Sequence, residues 1–140
     1  MTNASVRWGL AVAAAAMAEI ALILISIIVV AVYSYTIHTG ESPEFYEAFA
    51  MASGPWVSLV AGGPVFFLTS RWIRRRAGAA ARSTTVAQIA IYLAFEVTVL
   101  VLWPGNTGAI VPLALTGYAL KVAGAWLAVA GVARPVASAA

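Results

Sequence analysis

The chain has 140 residues, of which 63% are apolar and only 9% are charged, and its formal net charge is +3 at pH 7. Soluble domains carry about a quarter charged residues, so this composition excludes an ordinary soluble domain and predicts an all-α, polytopic integral membrane protein. The absence of cysteine excludes disulfides and thiolate chemistry, and the single histidine, His38, excludes a multi-histidine metal site within one chain. We therefore expect one helical domain over residues 1–140, with no metal and no cofactor.

The first apolar stretch runs from about residue 8 to residue 37 and is interrupted only by Glu19. At 1.5 Å per residue it measures roughly 45 Å, which exceeds the ~30 Å hydrocarbon core, so this helix has to tilt or project from the membrane. After it, Ser42 followed by Pro43 and Glu44 is typical of a helix start. We expect a short interfacial helix over about residues 43–53, acting either as a connector or as a lid over a cavity.

Three further apolar stretches predict spans over about residues 55–72, 86–103 and 109–133, which gives four transmembrane helices. Arginines in short loops are held on the cytoplasmic side. The loop between the second and third spans is flanked by Arg71, Arg74, Arg75, Arg76 and Arg82, and the termini carry Arg7 and Arg134. This pattern predicts a multi-pass protein of the cell membrane with both termini in the cytoplasm. We expect the five loop arginines to contact anionic lipid rather than nucleic acid.

Three charged residues fall near the middle of the predicted spans. Glu19 lies eleven residues past Trp8, and Glu96 and Lys121 lie at similar depths in the third and fourth spans. Each is thus roughly 15–18 Å from its own membrane surface. An unpaired charge at this depth costs about 2.5–3.5 kcal/mol, so we expect all three to face inward, where Lys121 can pair with Glu19, Glu96 or both.

Polar and small residues accompany these charges. In the third span Gln88 and Tyr92 precede Glu96 at helical spacing, so they share its stripe, and in the fourth span Tyr118 lies one turn before Lys121. Gln88 and Tyr92 would act either as interhelical contacts or as ligand groups, and the role of Tyr118 stays open. In the second span Gly62-Gly63-Pro64 lies slightly shallower and predicts either a simple kink or an unwound backbone that faces a ligand.

The three midplane residues carry two carboxylates and one ammonium, so their formal sum when ionised is negative. In a low dielectric this excess favours a bound proton or cation, and a lysine, unlike an arginine, can release its proton. This predicts a proton-linked small transporter or a channel-like protein that takes a small ion, and dimerisation would help four helices to form a pathway.

Two other classes of function remain open. One alternative is a non-catalytic subunit or assembly factor whose buried charges fix helix packing. Another is a membrane protein that binds a cofactor or a lipophilic ligand, for example through a Schiff base on Lys121. Catalysis is the class we expect least, because the chain has no Asp and no Cys and because His38 lies far from the midplane.

Overall fold

In the computed structural model, which describes residues 5–102 and 111–130, all regular secondary structure is helical. The elements in chain order are α1 (Trp8–Val32), a π-helical turn (Tyr33–Ile37), α2 (Pro43–Ala77), a 3-10 turn (Gly78–Ala80), α3 (Ala81–Leu102) and α4 (Val111–Ala130). The predicted all-α class is confirmed for this part of the chain.

Three helical stretches are long and apolar enough to cross a membrane, namely Trp8–Ile37, Pro43–Val99 and Pro112–Ala130. The first coincides with the first predicted span, and the second contains α2 and most of α3, which the 3-10 turn joins. The prediction of membrane-spanning helices is therefore confirmed in its coarse form. The described residues do not include residue 103, residues 109–110 or residues 131–134. One end of the predicted third span, both ends of the predicted fourth span and Arg134 fall on these residues.

The second helix differs from the prediction, because α2 continues without a break from Pro43 to Ala77. Residues 43–53 are thus the first turns of α2 and not a separate interfacial helix. Pro55 removes only one backbone hydrogen bond, and a transmembrane helix tolerates this loss. The stacking of Tyr33 on Phe49, with ring centroids 3.7 Å apart, holds this part of α2 alongside the end of α1. The predicted helix start is confirmed, since the Phe45 N–H donates to Ser42 Oγ at 3.4 Å.

The two ends of the bundle carry different charges. We call the end that contains Arg7 and the turn at Gly78–Ala80 the arginine end, and the end that contains the start of α2 the acidic end. At the arginine end, the Arg7 guanidinium donates to the Arg76 carbonyl at 2.5 Å, and its backbone N–H donates to Thr84 Oγ1 at 3.2 Å. Gly78 turns the chain with a φ of 54°, which a residue without Cβ adopts easily. The acidic end carries Glu41, Glu44 and Glu47, all of them exposed.

Helix α2 lies at the centre of the packing, with its largest contact against α4 and a smaller one against α1. Helix α1 contributes a seam of small buried residues, Ala11, Ala14, Ala15 and Ala18, and packs on α3 as well. Small residues let helix backbones approach closely in a membrane. Among the helix pairs that pack against one another in the described residues, α3 and α4 share the smallest contact. The candidate site lies at this small contact.

Candidate ligand or proton site

The centre of the bundle contains a buried ion pair between α3 and α4. Lys121 Nζ lies 3.2 Å from Glu96 Oε1 and donates to the Tyr92 hydroxyl at 2.9 Å, and the Tyr92 hydroxyl in turn donates to Glu96. Lys121 is only 3% exposed, whereas the side chain of Glu96 is 25% exposed. The three side chains thus form a closed hydrogen-bonded group, in which the ammonium is enclosed and the carboxylate remains accessible.

Aromatic rings surround the ammonium on two sides. Lys121 Nζ lies 4.7 Å from the ring centroid of Tyr92 and 5.1 Å from that of Tyr118, distances at which a cation is attracted to a ring face. Phe66 of α2 packs edge-on against Tyr92 with centroids 4.8 Å apart and is fully buried. The rings help to hold the lysine in one position where little water can solvate it.

The aliphatic part of Lys121 crosses α2 at Gly62. A Cβ added to Gly62 would lie 2.9 Å from both Cγ and Cε of Lys121, so a larger residue would displace the lysine. Gly124 approaches the backbone of Gly63 so closely that any Cβ there would overlap the Gly63 carbonyl. Pro64 is exposed on the outside of a continuous helix. The structure thus places Gly62 and Gly63 in the α2–α4 contact, with no unwound backbone at this point.

Glu19 of α1 faces the same region but is bound differently. Its carboxylate interacts electrostatically with Glu96 and Lys121 and lies beside the Tyr92 hydroxyl. Among the described residues it forms no ion pair, since the ammonium of Lys121 is paired with Glu96. Glu19 is therefore the carboxylate whose charge is not directly balanced.

A cavity of about 330 Å³ adjoins these charges on the side of the acidic end. All four helices contribute to its wall, which includes Glu19, Gly54, Pro55, Ser58, Phe95, Glu96, Val99, Leu113, Ala114, Gly117, Tyr118 and Lys121. A pocket of this size is at the lower end of the range that small ligands occupy. The predicted residues Glu19, Glu96, Lys121 and Tyr118 thus share one cavity.

Gln88 lies elsewhere, in the half of the bundle toward the arginine end. Its amide nitrogen donates to Thr69 Oγ1 at 2.8 Å and to the Ala14 carbonyl at 3.5 Å, and its amide oxygen accepts from Ser70 Oγ at 3.1 Å. The side chain is fully buried and joins α1, α2 and α3. These bonds make Gln88 an interhelical contact, separate from the cavity.

Three partners in this region were not predicted from the sequence. Thr69 and Ser70 complete the Gln88 network, and Phe66 supports Tyr92. The signal for the first two was present, because Thr69 and Ser70 follow Gly62 and Gly63 by seven residues, a spacing that returns to the same helix face. Phe66 carried no signal, since it belongs to an uninterrupted apolar run.

The loop arginines lie at the arginine end, where the Arg76 guanidinium lies 5.0 Å from the Trp72 ring centroid. Arg71, Arg75, Arg76 and Arg82 are exposed, and Arg74 is partly buried. They are well separated from the central cavity along α2 and α3. Any contact they make with lipid would therefore be independent of Glu19 and Lys121.

The chemistry available at the cavity is that of charge and proton binding. Within residues 5–102 and 111–130, no group of three or more metal-binding side chains comes together. The carboxylates of Glu19 and Glu96 and the hydroxyl of Tyr118 line an accessible cavity, while Lys121 and Tyr92 supply donors to Glu96. This arrangement can bind a proton or a monovalent cation and can transfer a proton between neighbouring oxygens.

A scan against protein-family models, a search of curated proteins and a search of solved structures each gave no match.

Proposed function

We propose that the protein is a small proton-linked transporter or channel-like membrane protein, in which Glu19, Glu96 and Lys121 bind a proton or a small cation. The observation that carries this proposal is the cavity of about 330 Å³ that ends on two carboxylates and one enclosed ammonium. Ionisable groups at this depth are costly, and in membrane proteins they mark ion and proton pathways.

The excess negative charge gives the proposal its mechanism. Lys121 and Glu96 neutralise each other at 3.2 Å, so the remaining charge belongs to Glu19. In a medium of low dielectric an uncompensated carboxylate is unfavourable, and a proton or a cation in the cavity removes the imbalance. Tyr92 bonds to Lys121 and Glu96 and lies beside Glu19. A change of charge at one carboxylate therefore affects the other carboxylate through Tyr92.

The membrane arrangement that fits this function has four crossings, one for each of α1 to α4. The arginine end faces the cytoplasm of a cell membrane, because Arg7 meets Arg76 there and because the loop arginines cluster at the same end. Both termini are then cytoplasmic, and the exposed arginines contact anionic lipid. A homodimer would extend the pathway beyond the cavity of about 330 Å³ in a single bundle.

Proton-linked flux in liposomes tests this function. The full chain is reconstituted with a pH-sensitive dye inside the vesicles, and a pH gradient is applied. We expect Glu19→Gln to abolish the flux that the native chain shows, because it removes the unbalanced charge and keeps the shape of the side chain. Glu47→Gln is the matched control, since Glu47 is exposed at the acidic end. Flux that is equal in the native chain and in Glu19→Gln, or flat from about pH 5 to 9, would contradict the proposal.

A second function, a subunit whose charges fasten its helices, is favoured by one observation. Helices α3 and α4 share little other contact, and the bonds of Lys121 to Tyr92 and Glu96 join them. If Lys121→Met and Glu96→Gln both unfold the protein in detergent, and the native chain shows no flux, the fastening role is the correct one.

A further inference from the structure

A groove on the flank of the bundle, between α1 and α3, is distinct from the central cavity. Its volume is about 290 Å³, and its wall consists of Val12, Ala15, Ala16, Glu19, Ile20, Ile91, Tyr92 and Phe95. Val12, Ala16 and Ile20 follow one another at four-residue spacing along α1, and all three are exposed. The groove therefore opens sideways on the outer surface of α1, which faces lipid in the proposed membrane arrangement.

Glu19 lines both the groove and the central cavity. Apart from Glu19 and the Tyr92 hydroxyl, every side chain along the groove is apolar. Glu19, which has no ion-pair partner among the described residues, thus lies between the groove and the central cavity.

We propose that this groove binds a monovalent organic cation with an apolar body, whose positive charge is held by Glu19. The proposal rests on the function proposed above and names a class of ligand for the same carboxylate. The apolar body would lie along Val12, Ala16 and Ile20, and the charge would lie between Glu19 and the ring of Phe95.

Charge complementarity selects a cation over a neutral or anionic ligand. Glu19 feels the repulsion of Glu96, and the nearby ammonium of Lys121 is already engaged by Glu96 and Tyr92. A cation beside Glu19 removes the excess charge of the cluster without breaking these bonds. The ring of Phe95 adds an attractive face for a quaternary ammonium.

The apolar wall selects an organic cation over a metal ion. Hard metal ions need several oxygen ligands to replace their water, and the groove offers one carboxylate and one hydroxyl. An organic cation loses little hydration and buries its apolar surface, which stabilises the complex. The sideways opening lets such a molecule enter from the bilayer, where amphipathic cations accumulate.

Equilibrium dialysis of radiolabelled benzyltrimethylammonium against the full chain, in an uncharged maltoside detergent, tests the proposal. We expect saturable binding of one cation per chain. Glu19→Gln should weaken it by about tenfold or more, which corresponds to ~1.4 kcal/mol, because the charge is lost. Ala16→Phe should weaken it similarly, because the new ring fills the groove while Glu19 is kept. Met17→Phe is the matched control: Met17 is exposed on the neighbouring face of α1, outside the groove, and we expect unchanged binding.

The pH dependence of probe binding gives a second test. The groups that face Glu19 are Glu96 and Tyr92 from α3 and Lys121 and Tyr118 from α4, and α2 adds no titratable group to the cavity wall. A proton on Glu19 cancels the charge that attracts the ligand. We therefore expect binding of the probe to weaken as the pH falls, and a pH-independent affinity would count against Glu19.

The remaining outcomes separate this inference from the proposed function. If Glu19→Gln abolishes binding but Ala16→Phe does not, the cation lies in the central cavity, so the groove is wrong and the proposed function stands. If the native chain shows no saturable binding, the ligand class is wrong, and proton flux still decides the proposed function. Should Ala16→Phe fail to elute as a folded species, Val12→Phe obstructs the same groove further along α1 and gives the same test.

Discussion

The two halves of the bundle on either side of Lys121 are built in opposite ways. Toward the arginine end the helices are closely packed, and the largest side chains that are fully buried in the described residues all lie there, namely Phe66, Ser70, Ile73, Thr84, Thr85, Gln88 and Val129. Toward the acidic end the helices separate around a cavity, and Glu19, Glu96 and Tyr118 in its wall remain partly exposed.

The polar chemistry follows the packing. In the packed half, the neutral amide of Gln88 bonds to the hydroxyls of Thr69 and Ser70. In the open half, charges face a space that a ligand or water can occupy. A neutral network tolerates complete burial because it needs no counter-charge, whereas excess charge requires access to an exchanging partner. This difference fits the proposed function, in which the packed half holds the helices together and the charged cavity binds a proton or a small cation.

The largest expected effect is on the crossing of α2 and α4, which both halves share. Gly124→Ala would place a Cβ against the Gly63 backbone, 2.9 Å from its carbonyl carbon, and neither backbone can move without separating the helices. We expect a loss of about 3 kcal/mol or more of folding free energy, measured by thermal unfolding in detergent. Gly117→Ala is the control, because its Cβ would meet Leu59 at an ordinary 3.8 Å. Equal unfolding temperatures for the two variants would refute this close crossing.

The next effect tests the boundary between the halves. Lys121→Met should destabilise the protein by about 3 kcal/mol, because it leaves Glu96 without its counter-charge. Adding Glu96→Gln to the same chain should restore much of this loss, since the uncompensated charge is then gone. Chemical or thermal unfolding of the two single variants and the double variant forms the cycle. A strictly additive result would mean that the two side chains do not interact.

A smaller effect is expected within the packed half. Gln88→Leu removes three hydrogen bonds and leaves Thr69 and Ser70 with one partner fewer each. Interhelical hydrogen bonds in membranes are individually weak, so we expect a loss of about 1–2 kcal/mol. The variant protein that remains folded should still carry proton-linked flux. A variant of native stability that has lost flux would place Gln88 in the pathway and remove the distinction between the halves.

Features that depend on distance along a helix were predicted from the sequence. Features that depend on how each helix is rotated about its axis were not. The span Trp8–Ile37 and the helix start at Ser42 agree with the structure, because apolar length and capping are local properties. Counting residues also placed Glu96 and Lys121 at one depth. The unbroken course of α2 through Pro55 was not predicted, because a proline inside an apolar stretch is compatible with either a break or a continuous helix.

The separation of the polar stripe into two sites was not predictable either. Gln88 and Tyr92 follow one another on the same face of α3, yet one bonds toward Thr69 and Ser70 and the other toward Lys121. Which partner each meets depends on the tilt and rotation of α2 and α4, which no local pattern specifies. The same holds for the pairing of Lys121, for which the sequence left Glu19 and Glu96 as equal candidates.

Lys121 is the single lysine of the chain, and its side chain is enclosed by Tyr92, Glu96 and Gly62. Apart from the amino terminus, an amine-selective acylating reagent therefore has one target, and the burial of that target slows the reaction until the bundle opens. The rate at which the protein gains a second acyl group, measured by intact mass spectrometry, then reports how often the bundle opens. The protein carries this reporter in its natural sequence, with no label introduced.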